Sequence, residues 1–129
     1  MADYRHVQTG ADAMIFNQQI SIIRAGQTAS VYSSEVVKDW ARAKTIEVPY
    51  LVSIQPQTTT EDSVERPQII TRWRMYTPPG TDLDLLADDR ILLGGGLLMQ
   101  LVGSVMRWPD PVSPGETHHV ECVLEAVDG

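Results

Sequence analysis

Proline and glycine punctuate this chain too often for long helices. They stand at 49, 56, 67, 78–80, 94–96, 109, 111 and 114–115, and the runs between them are mostly of strand length. Several of those runs alternate with period two. In residues 49–56, Tyr50, Val52 and Ile54 share one face, with Ser53 and Gln55 on the other. In residues 68–76, Ile69, Trp73 and Met75 oppose Arg72, Arg74 and Tyr76. In residues 118–127, Val120, Cys122, Leu124 and Ala126 oppose Glu121 and Glu125. Residues 19–24 form a further, isoleucine-rich run. The pattern predicts a mainly β protein, a small antiparallel β-barrel or sandwich with little helix. Its core is expected to include Trp73, Met75, Val120, Cys122 and Leu124.

One segment matches two templates. In residues 94–108, Leu97, Leu98, Leu101, Val102 and Val105 fall at helical spacing. The triple glycine ahead of them suits a hairpin turn, and Gly103 would cost a helix about 1 kcal/mol relative to alanine. The segment is therefore read as a strand with an irregularity at Gly103-Ser104, buried on both faces for part of its length. Residues 57–66 read as a long polar hairpin loop, beyond the usual two to five residues. Residues 108–119 read as a second loop, held in extended and turn conformations by its three prolines. Residues 1–18 are weakly patterned and read as an N-terminal arm, leaving 19–129 as a single β domain.

The chain of 129 residues is long enough for one apolar core without staples. Its single cysteine cannot form an internal disulfide. No apolar run reaches the roughly 18–20 residues of a membrane helix, and the start has no signal-peptide pattern, so a cytoplasmic product with no membrane partner is expected. With 17 acidic against 10 basic side chains and a net charge of −7, it lacks the charge of a general nucleic-acid binder. Such a surface repels DNA, a property that is either incidental or of use to a protein that lets DNA slide past.

The acidic stretch at residues 82–90 tests for chemistry. Asp82, Asp84, Asp88 and Asp89 would suit a hard cation, but Leu86 and Ala87 occupy the ligand and glycine positions of a calcium loop, and Leu93 its glutamate position. The simpler reading is structural. Pro78-Pro79-Gly80 turns the chain, Thr81 and Asp82 accept from free backbone N–H groups, and Asp88 or Asp89 pairs with Arg90. Cys122 sits mid-strand as an inert core thiol. His118 and His119 point to alternate faces, and with His6 they lack zinc-site spacing. The glycines at 94–96 precede no helix and form no phosphate loop. Trp73 lies opposite Arg72 and Arg74, so the three make no base-stacking patch. No enzymatic activity, cofactor or metal is expected.

The segments TRWRMYTPPGTDLDLLADDRI, VGSVMRWPDP and HHVECVLEAV, with IIRAGQTASVYSSEVVKDW and VSIQPQTTTEDSVERPQIITRWRMYTPPGTDL upstream, resemble the head-closure, or head-to-tail stopper, proteins of long-tailed bacteriophages, particularly those infecting actinobacteria. The resemblance spans about residues 19–129. It departs at ILLGGGLLMQL, where the family has a shorter turn and a strand carrying an aromatic and an acid, and residues 1–18 have no clear counterpart. It implies a β-barrel subunit of a ring of six or twelve copies in the virion neck, assembled in the host cytoplasm. The implied partners are further copies, a portal-side adaptor, a tail terminator or tail-tube protein, and packaged DNA held without sequence recognition. Under that resemblance, residues 57–66 are the channel-loop candidate, with Thr58, Thr59, Thr60, Glu61 and Asp62 at the tip. Arg72, Arg74, Pro78, Pro79 and Asp82 are the subunit-interface candidates. The alternatives are a tail terminator or other tail-tube-like β protein, and a free-standing binding barrel.

Overall fold

The computed structural model describes residues 14–29, 36–61 and 68–127. They form seven strands: β1 (Ile20–Ala29), β2 (Val36–Glu47), β3 (Ser53–Glu61), β4 (Gln68–Tyr76), β5 (Arg90–Leu93), β6 (Leu98–Pro109) and β7 (Thr117–Ala126). All pair antiparallel in one sheet of order β2-β1-β5-β6-β7-β4-β3, and no helix occurs among the described residues. The mainly β, antiparallel architecture expected from the alternating runs is the one the chain adopts. Closure is partial. Gln18 and Val52 exchange two backbone hydrogen bonds of 2.9 Å and draw β1 towards β3, but no strand ladder seals that seam.

Alternation decides which side chains fill the interior. Register places Trp73 opposite Leu124 and Met75 opposite Cys122, so these four share a face. Met75, Val120, Cys122 and Leu124 are fully buried, together with Ile20, Ile22, Val52, Ile91 and Met99 from the other strands. Trp73 differs from the expectation: it is half-buried and packs against the edge of this cluster. Ala126, expected inside, is exposed where β7 leaves the core.

The strand bounds correct several expectations. Residues 49–51 precede the ladder, and β3 starts only at Ser53. Within the 94–108 segment, residues 94–97 turn and β6 starts at Leu98, and Gly103 sits at φ +81° inside a register shift between Val102 and Met106. That backbone conformation favours glycine, which places the bulge there. The same strand is less enclosed than expected: only Met99 is fully buried, and Gly103 and Ser104 are exposed. A second bulge lies in β2, where residues 40–43 arch between the pairs Arg24–Lys44 and Gly26–Asp39. A Cβ on Gly26 would lie 2.9 Å from both the Cβ and the carbonyl oxygen of Arg42, so only glycine fits beneath the arch.

Antiparallel pairing also sorts the connections between two ends. β1, β4 and β6 run one way, and β2, β3, β5 and β7 the other. The 77–89 connection and the 110–116 loop therefore leave at one end, and the β3–β4 and β5–β6 turns at the opposite end. Because β4 and β5 are not neighbours, residues 77–89 must cross the first end, and Leu83 and Leu85 drop into the core there. This connection plugs the curled sheet.

Candidate functional site

The acidic stretch resolves into a clamp. Asp89 is 3% exposed, and its carboxylate accepts from Arg24 Nε at 3.0 Å, from Arg24 Nη2 at 2.8 Å and from the Leu86 N–H at 2.8 Å. Arg24 also donates to the Asp84 carbonyl at 2.9 Å. From β6, Arg107 donates to the Leu83 carbonyl at 2.7 Å, the Leu85 carbonyl at 3.0 Å and the Asp82 carboxylate at 2.8 Å. Two arginines thus satisfy the carbonyls of a plug with no strand partner of its own. The hydrogen bond to Asp89 is the main reason the Arg24 guanidinium is held above its ordinary pKa.

These contacts correct the expected pairing. Arg90 does not take Asp88 or Asp89; its guanidinium lies 3.9 Å over the Trp40 ring, and Asp88 pairs with Lys38 at 2.8 Å. Thr81 acts as a donor, its hydroxyl bonding the Pro78 carbonyl at 2.6 Å. No group of three or more His, Cys, Asp or Glu side chains converges on a possible cation site among the described residues. Burial pushes the Cys122 thiol up to about 12, so the nucleophilic thiolate is suppressed.

Of the channel-loop candidate at 57–66, residues 57–61 are strand and 62–66 lie outside the described residues. Thr58, Thr59, Thr60 and Glu61 lie on β3, paired with Thr71, Ile70, Ile69 and Gln68, and Asp62 lies outside the described residues. β4 pairs with β7 only from Trp73 to Tyr76. The five pairs from Gln57–Arg72 to Glu61–Gln68 continue beyond the last β4–β7 pair, Trp73–Leu124, and run for roughly 17 Å at about 3.4 Å per residue; Arg72 still meets Glu125 of β7, and the distal pairs form a two-stranded ribbon. Sequence reading missed this because threonine-rich polar residues carry no apolar alternation. Pairing nevertheless continues, since threonine's branched side chain favours extended backbone.

The interface candidates divide. Arg72 and Arg74 occupy the outer sheet face and are engaged within the chain, Arg72 with Glu125 at 3.7 Å and Arg74 with Glu121 at 3.3 Å. Pro78 is half-buried, Pro79 is exposed, and Asp82 is exposed but held by Arg107. The ribbon and the proline corner lie at opposite ends of the sheet, so the candidates do not form one site. A depression of about 560 Å³ beside Trp73 is lined in part by Gln100 and Glu125, which bond each other at 3.1 Å.

The sequence reading also missed Arg24, Arg107 and the histidine pair. Arg24 had a visible signal, a charge closing an isoleucine run at the two-residue spacing of Ile20 and Ile22; the other partners are set by tertiary structure alone. Comparison with known proteins finds no matching family model, curated protein or solved structure.

Proposed function

We propose that the chain is a subunit of a homo-oligomeric ring at the portal–tail junction of a long-tailed phage, where it closes the filled head and offers the tail its attachment surface. The observation that carries the reading is the β3–β4 ribbon, which continues five residue pairs beyond the last β4–β7 pair. A two-stranded ribbon is marginal alone in water and gains its stability from a surface to pack on. In a ring, the ribbon of each copy reaches the channel or a neighbouring copy. The net charge of −7 keeps such a channel from binding the DNA that passes through it. The resemblance of the TRWRMYTPPGTDL stretch to head-closure proteins supports the same role.

The test separates folding from gating. Residues 58–71 are replaced by Asn-Gly, which closes a two-residue hairpin on the Gln57–Arg72 pair and keeps the ladder from Ser53 to Gln57. The isolated variant should unfold at the wild-type denaturant midpoint, because it retains every core side chain named above, Met75, Val120, Cys122 and Leu124 among them. Particles carrying it should contain the ring yet leak DNA or fail to join tails. Full DNA retention and normal tail joining would refute the gating role.

A further inference from the structure

Adjacent residues of a strand point to opposite faces, yet His118 Nδ1 lies 2.8 Å from His119 Nδ1, with the rings edge-on at 83°. A register shift explains the contact. Trp108 pairs with His119 and Pro109 with Thr117, so His118 is the extra residue of a bulge, and bulges re-aim side chains. His119 continues the chain of contacts: its Nε2 lies 3.1 Å from a Glu121 oxygen, and its ring stacks on Trp108. The other Glu121 oxygen accepts from Arg74 at 3.3 Å.

Proton counting restricts this arrangement. Glu121 as a carboxylate only accepts, so His119 Nε2 carries a proton. A neutral His119 then presents a lone pair at Nδ1, and His118 Nδ1 must be the donor. One added proton is tolerated at the outer nitrogen of His118. A second places two N–H groups face to face and breaks the contact. The groups around the pair are Glu121 on β7, Arg74 and Tyr76 on β4, and Trp108 on β6. Arg107, also on β6, is turned towards Asp82 and the plug.

The backbone here anchors the plug. The His118 carbonyl accepts from the Gly80 N–H at 2.8 Å, the Val120 carbonyl accepts from the Thr77 N–H at 3.0 Å, and the Val120 N–H donates to the Thr77 hydroxyl at 2.9 Å. We infer that His118 and His119 form a proton-sensitive latch on the Pro78-Pro79-Gly80 corner, closed while the pair carries at most one extra proton and released by the second. The open corner binds more protons than the closed one, so acidification favours opening. The latch does not depend on the ring reading.

Amide hydrogen exchange at Gly80 tests it, corrected for the intrinsic pH dependence of exchange. On acidification from neutral pH, short of acid unfolding, wild-type protection should fall roughly tenfold, the scale of one lost hydrogen bond. His118→Gln keeps a donor that can flip to accept and does not titrate, so its protection should stay level. Constant wild-type protection, or an equal fall in the variant, overturns the latch. If the variant does not fold, ¹⁵N imidazole spectra of the wild type decide. A neutral-pH His119 protonated at Nε2 supports the latch, and one protonated at Nδ1 overturns it.

Discussion

Replacing Asp89 with alanine removes three accepted hydrogen bonds at once, two from Arg24 and one from the Leu86 N–H. The Asp89 side chain is 2% exposed and that of Arg24 21%, so little water can replace the lost carboxylate. Breaking a buried pair by deleting one partner costs about 3–5 kcal/mol, because the remaining charge is left without compensation. Here Arg24 keeps the Asp84 carbonyl and a 3.5 Å contact to the exposed Asp84 carboxylate, which places the expected loss near the lower end, at about 3 kcal/mol. For a domain of this size that corresponds to a Tm drop of roughly 10 °C. The double variant Arg24→Met with Asp89→Leu, which removes both charges, should recover most of the loss. Urea unfolding of the wild type, Arg24→Met, Asp89→Leu and the double variant closes a double-mutant cycle and measures the coupling directly. A loss below about 1 kcal/mol for Asp89→Ala would refute the clamp as a stabilising element.

Four further outcomes follow from the packing. Met75→Ala should cost about 2–5 kcal/mol by urea unfolding, since the side chain is fully enclosed. Trp73→Ala should cost less than the roughly 3–5 kcal/mol of a fully buried aromatic, because the ring sits at the edge of the core. Gly103→Ala should lower stability by about 1–2 kcal/mol through its φ of +81°, with open space around the added Cβ ruling out a clash. Cys122 should react with a thiol reagent at the rate of global unfolding, as a fully buried thiol raised to about 12 requires.

The legible part of the fold was the part built from alternation. Met75, Val120, Cys122 and Leu124 declared themselves because each recurs every second residue against a polar neighbour, and Gly103 declared the bulge because glycine interrupts an apolar run. β2 gave no such signal: its arch at 40–43 shifts the phase of the pattern, and Trp40 turns to Arg90 on the outer face. The aspartates were expected to pair within the chain, and Asp82, Asp88 and Asp89 do so, but with partners other than the expected ones. Arg90 is next to Asp89 in sequence, whereas Arg24 reaches it only because β1 pairs with β5. The histidines were placed on opposite faces by the strand rule, which the bulge at His118 suspends. Contacts made across the sheet, or through an extra residue, leave no local trace in sequence.

The proposed role is tested most directly by where the chain sits in the particle. Cryo-electron microscopy of the intact virion should show a ring of copies of this curled sheet between the portal adaptor and the first tail ring, with the β3–β4 ribbon of each copy turned to the channel or to its neighbour. A single copy at the junction, absence from it, or placement along the tail tube would contradict the account.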